Sequence, residues 1–99
     1  MLHIVNKSPY ERNALESCLR LAQSGSALLL IEDGVYAAAK GTAVSPRIEA
    51  ALKTVKIYAL KSDLEARGMQ NRVMDGVRLV DYGGFVDLVV EHDAVQSWL

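Results

Sequence analysis

The chain has 99 residues, 51% of them apolar, and its 11 Lys and Arg against 12 Asp and Glu leave a net charge of −1. That length suffices for one hydrophobic core but not for two ordinary domains, so residues 1–99 are expected to form a single domain. The near-neutral balance gives no electrostatic reason for direct binding of nucleic acid or an anionic membrane.

LHIV at 2–5 reads as a first, short strand. SPYE at 8–11 then has the form of a capping box, with Ser8 as N-cap, Pro9 in the first helical position and Glu11 reaching back to the Ser8 amide. The helix it opens carries Cys18, and Gly25 is its expected stop. ALLLI at 27–31 is a second strand and the longest apolar run, far below the roughly 18 residues that span a bilayer. IEDGVYAAA at 31–39 allows two readings of Glu32 and Asp33. Asp33 caps the next helix while Gly34 eases the turn, or the paired carboxylates serve acid–base or metal-dependent chemistry.

GTAVS at 41–45 is a candidate short extra strand, and SP at 45–46 opens a helix with Ile48, Ala51, Leu52 and Val55 on its apolar side. VKIYAL at 55–60 is a third strand, SDLE at 62–65 starts a short helix ending near Gly68, and GMQNRVMDG at 68–76 reads as a surface crossover. After a fourth strand, VRLV at 77–80, Asp81 is positioned to cap a last helix on which Phe85, Leu88, Val89 and His92 share one face. In the tail AVQSWL, Val95, Trp98 and Leu99 either pack on the chain's own core or fill a partner's pocket.

Alternation of helices with continuous apolar strands implies an α/β fold, with a mostly parallel sheet of four or five strands between helical layers, flavodoxin-like or Rossmann-like. Functional groups in such sheets gather at the carboxyl ends of strands, here residues 6–8, 32–34, 61–63 and 81–84.

A nucleotide or flavin site would need a glycine-rich turn after the first strand, and NKSPYER has no glycine, so no cofactor is expected. Gly83 and Gly84 lack the spacing of a phosphate loop and fit a tight strand-to-helix turn. His3, His92 and Cys18 lie too far apart in sequence to build a metal site locally, and no metal is expected. One cysteine permits no internal disulfide, and MLHIVNKSPYE shows neither a basic leader nor a cleavage site, so the chain is expected in the cytoplasm.

Cys18 is the one candidate nucleophile. Its helical neighbours Ala14, Leu15, Leu21 and Ala22 are apolar, and no Lys, Arg or His lies at those spacings. Its own helix thus predicts an unactivated thiol in an apolar stripe, and reactivity requires charge and access supplied by another segment or a partner subunit.

The stretch MLHIVNKSPYERNALESCLRLAQSGSALLLIEDGVYAA, continued by IYALKSDLEARG and VDYGGFVDLVVEHDAVQSWL, resembles the DsrH/TusB family, the smallest subunits of DsrEFH and TusBCD sulfur-relay complexes. The resemblance implies a DsrE-like α/β fold and assembly with two homologous subunits, of DsrE/TusD and DsrF/TusC type, as a dimer of heterotrimers. It further implies that the complex passes persulfide sulfur to a DsrC- or TusE-type carrier, for sulfur oxidation or for 2-thiolation of the tRNA wobble uridine. The principal persulfide cysteine of such complexes belongs to the DsrE/TusD subunit. DsrH-type chains carry a cysteine in the first helix, where Cys18 stands, so the resemblance leans to the DsrH side. On this reading the chain is chiefly an assembly and docking subunit, with Cys18 as a secondary sulfur-handling site. The alternatives are a wholly non-catalytic subunit of the same complex and a stand-alone α/β module for a small ligand.

Overall fold

Two strands made almost entirely of Leu, Ile, Val and Ala form the centre of the protein: β1 (Leu2–Val5) and β2 (Ala27–Leu30), every residue of which is buried. Burial on both faces is the normal state of interior strands in a parallel sheet, and such continuous apolar runs are its sequence signature. The computed structural model describes residues 1–98. β3 (Lys56–Leu60), β4 (Arg78–Val80) and β5 (Val95–Trp98) complete a sheet in the order β4-β3-β2-β1-β5, with every pairing parallel.

Alternating strand residues feed two separate cores. One face of the sheet contributes Val5, Leu28, Leu30, Ile57 and Ala59 to a cluster with residues of α1 (Ala14–Leu21), the 3₁₀ helix Glu32–Ala38, α2 (Ser45–Ala51) and α3 (Lys61–Ala66). The opposite face contributes Leu2, Ile4, Ala27 and Leu29 to a smaller cluster, which Leu88 of α4 (Tyr82–Glu91) completes. The expected α/β architecture with helices on both faces is therefore present, but among the described residues one layer consists of a single helix. No helix among the described residues is long and apolar enough to cross a membrane.

Several local expectations change. SPYE does not cap a helix: the Tyr10 amide donates to Ser8 Oγ at 3.2 Å, and the Glu11 and Arg12 amides donate to the Ser8 carbonyl at 3.2 and 3.1 Å. A serine side chain bonding two residues ahead closes a local turn in place of a helix. α1 consequently starts at Ala14, making Cys18 a residue of its second turn, and it ends before Ala22, with Gly25 (φ 90°) beyond it in the connecting turn.

Neither of the other two expected serine starts caps its helix. Ser45 Oγ donates to the Ala39 carbonyl and accepts from the Thr42 amide, each at 3.0 Å, which folds 39–45 into a turn around the buried Ser45 side chain, so the extra strand expected at 41–45 is absent. The fifth strand comes from the tail instead. α3 begins at Lys61 directly after β3, and Asp63 bonds outside its own helix. Asp81 does cap α4 as expected, accepting from the Gly84 amide at 2.8 Å.

Candidate functional site

Cys18 lies on the inner side of α1 with no solvent exposure, within the larger core cluster that includes Leu15, Val5 and Leu28. Burial alone pushes its thiol up to about 12. The thiolate is the nucleophile in sulfur chemistry, and such a thiol is ionised at pH 7 to only about one part in 10⁵.

The carboxyl ends of β2 and β3 are locked together by an arginine. Arg67 reaches Asp33 Oδ1 through Nε at 3.0 Å and through Nη2 at 2.9 Å, and its Nη1 donates to the Asp63 carbonyl at 3.1 Å. Asp63 Oδ2 in turn accepts from the Glu32 amide at 2.6 Å, where Glu32 takes a left-handed backbone (φ 49°). Asp33 is thus not the cap of the next helix; it lies inside the 3₁₀ helix and its charge is spent on Arg67. The structure ties the Asp33 carboxylate to a structural arginine and the Asp63 carboxylate to the Glu32 amide rather than aiming the two together at an open site. Among the described residues, no group of three or more His, Cys, Asp and Glu is arranged to hold a metal ion.

Gly34 fills a packing role here. A β-carbon on it would fall on the carbonyl oxygen of Val5 and lie 2.9 Å from the carbonyl carbon, so the 3₁₀ helix approaches the end of β1 as only a glycine allows. The two histidines are also accounted for. His3 is buried and accepts at Nδ1 from Trp98 Nε1, while His92 bonds through Nδ1 to the Leu88 carbonyl at 2.7 Å, at the end of α4. Trp98 is half-buried and packs against the chain's own larger core; Leu99 lies outside the described residues.

α4 departs most from expectation. Leu88 points into the sheet and Phe85 packs partly against the same cluster, as their shared face predicts. Val89, expected beside them, is 38% exposed, and Tyr82, Val86 and Val90 are 72%, 44% and 78% exposed. The Tyr82 and Phe85 rings meet edge to face with centroids 5.9 Å apart, and with Val86, Val89 and Val90 they line a shallow apolar hollow on the outside of the helix. The signal was present in FVDLVV, which is too apolar for one face of a helix: Val86 and Val90 fall outside the stripe set by Phe85 and Leu88.

A family description reading "DsrH like protein" matches residues 7–95. Protein TusB of Pectobacterium parmentieri is 42% identical over 98 residues, covering 99% of this chain and 100% of that protein. Protein TusB of Escherichia coli (strain K12) is 38% identical with the same coverage. Among solved structures, the ychN protein from E. coli superposes with a TM-score of 0.81 at 23% identity, covering 97% of each chain. A protein of unknown function, MTH1491 from Methanobacterium thermoautotrophicum, superposes with a TM-score of 0.76 at 21% identity, covering 97% of this chain and 95% of the other. These two structures bear on the fold. The family match and the end-to-end relatives carry the identity: the chain belongs to the DsrH/TusB family, whose members are subunits of sulfur-relay complexes.

Proposed function

We propose that this chain serves as an assembly and docking subunit of a cytoplasmic DsrEFH/TusBCD-type complex, which hands persulfide sulfur to a DsrC/TusE-type carrier. The partners on this reading are a DsrE/TusD-like and a DsrF/TusC-like subunit. One observation carries it: the chain's single cysteine is sealed in the core with its thiol held near 12. A subunit whose only sulfur nucleophile is neutral and inaccessible contributes shape and contacts, and the reacting cysteine is supplied by a partner. The TusB name of the full-length relatives favours tRNA wobble-uridine 2-thiolation over sulfur oxidation as the pathway served.

The test is co-expression with the two homologous subunits, followed by loading of the purified complex from a persulfide donor. Cys18→Ala is expected to leave assembly and sulfur delivery to the carrier intact. Failure of the chain to associate with either subunit, or loss of delivery with assembly unimpaired, overturns the reading.

A direct role for Cys18 is a second reading, favoured by its place in the first helix. It requires α1 to loosen on a partner, so that the thiolate attacks the outer sulfur of a donor persulfide, the new S–S bond forms and the donor departs as thiolate. Its signature is a gain of about 32 Da on Cys18 in the loaded complex, the mass of one sulfur atom. Absence of that gain, with the partner subunit loaded, excludes it.

A further inference from the structure

Among the described residues α4 is the sole helix on its side of the sheet, and its inward contact is made by Leu88 with partial help from Phe85. A helix covered on one side only is expected to turn a polar face outward, yet Tyr82, Val86, Val89 and Val90 form a contiguous apolar surface there. Asp87 and Glu91, one helical turn apart, are both exposed and run beside this surface. Residues 81–93 hold four carboxylates, at Asp81, Asp87, Glu91 and Asp93, and no Lys or Arg. Among the described residues the ion pairs join Arg47 to Glu16 and Arg67 to Asp33 and Asp63, so none neutralises this acidic edge.

We infer that the outer face of α4 is an interface for a different protein chain, one that presents an apolar helix or groove bordered by Lys and Arg. Apolar area drives the contact, and the acidic edge selects the partner and its orientation. The charge pattern disfavours a second copy of this chain: a two-fold contact through α4 sets the same patch against itself, acidic edge included. The inference rests on the reading of the chain as an assembly subunit, and names the surface and the partner chemistry by which it assembles.

Binding of the full-length chain to each homologous subunit tests it, with Val86→Asp/Val90→Asp and Asp87→Lys/Glu91→Lys compared with wild type. Both pairs change exposed side chains, and unchanged circular dichroism and melting are expected. The valine variant is expected to bind one partner at least about tenfold more weakly, the scale of removing a central contact residue. The lysine variant is expected to bind more weakly too and to lose much of the salt dependence of the wild-type contact. Wild-type affinity in the valine variant, with folding intact, overturns the inference while leaving the assembly reading in place. A dimer of the chain alone that Val90→Asp abolishes overturns the assignment to a different chain. Absence of any wild-type binding to either subunit overturns the assembly reading and this inference with it.

Discussion

The indole Nε1 of Trp98 donates a hydrogen bond to Nδ1 of His3 at 3.1 Å, with ring centroids 6.1 Å apart, linking the last described residue to the first strand. His3 is therefore neutral, with its proton on Nε2, and this pair fastens the edge strand β5 onto β1. Burial holds the His3 imidazole below its usual 6.5, with a further push from the positive amino terminus. A depressed histidine pKa means the unfolded chain takes up a proton first as pH falls. The His3 contribution is thus complete above 6.5 and is lost progressively below it, through the folded value. Urea midpoints followed by the fluorescence of the single tryptophan should fall between pH 7.5 and pH 5. Trp98→Phe should lower stability at pH 7.5 by about 1 kcal/mol for the lost bond.

Cys18 makes an opposite pH prediction. Its thiol ionises near 9 in the unfolded chain and near 12 when folded, so the unfolded state loses its proton first as pH rises. Stability from this group is complete below 9 and drains away between 9 and 12. Iodoacetamide should leave the isolated native chain unmodified at pH 8 and label it in 6 M guanidinium chloride. Cys18→Ala leaves a small void, with an expected cost of about 1 kcal/mol, whereas Cys18→Ser buries a hydroxyl and should cost about 1–3 kcal/mol.

Gly34→Ala tests the approach of the 3₁₀ helix to β1. The added methyl meets backbone, the Val5 carbonyl, which no rotamer change can move aside. Overpacking of a core typically costs about 1–3 kcal/mol, and a collision with a strand backbone belongs at or above the upper end. Thermal melting should place this variant far below Gly25→Ala, whose penalty comes from its positive φ alone because no heavy atom lies within 4 Å of the added carbon.

The interior of the fold was legible in the sequence because Leu, Ile and Val runs such as LHIV and ALLLI have one low-energy destination, a strand buried on both faces. Edges and helix starts were less legible. β5 was missed because VQSW lies at an edge, where one neighbouring strand supplies the backbone bonds, and only Trp98 of its four residues packs on the core, too little to impose a strand pattern. The serine starts misled because a hydroxyl can satisfy a turn as readily as a helix end, as Ser8 and Ser45 do. At the candidate site, the apolar surroundings of Cys18 followed from spacing. The Arg67–Asp33 tie did not, because it joins residues 34 apart in sequence that only the adjacency of the 3₁₀ helix and α3 brings together.

That tie sets the last prediction. Arg67 is the more enclosed of the two arginines paired among the described residues, with 23% side-chain exposure, and it holds both Asp33 and the Asp63 backbone. Arg47, by contrast, meets Glu16 at 2.7 Å with the two side chains 46% and 53% exposed. Its guanidinium draws the Glu16 carboxyl below the usual carboxylate range, but solvent and salt screen an interaction so placed. Arg67→Met should therefore lower the melting temperature, by the equivalent of about 1 kcal/mol, because it leaves Asp33 unpaired and frees the 3₁₀ helix from α3. Arg47→Met should melt with wild type in 0.15 M salt. Equal melting of the two variants would show that the Arg67 bonds to Asp33 and Asp63 add nothing to the join between the carboxyl ends of β2 and β3.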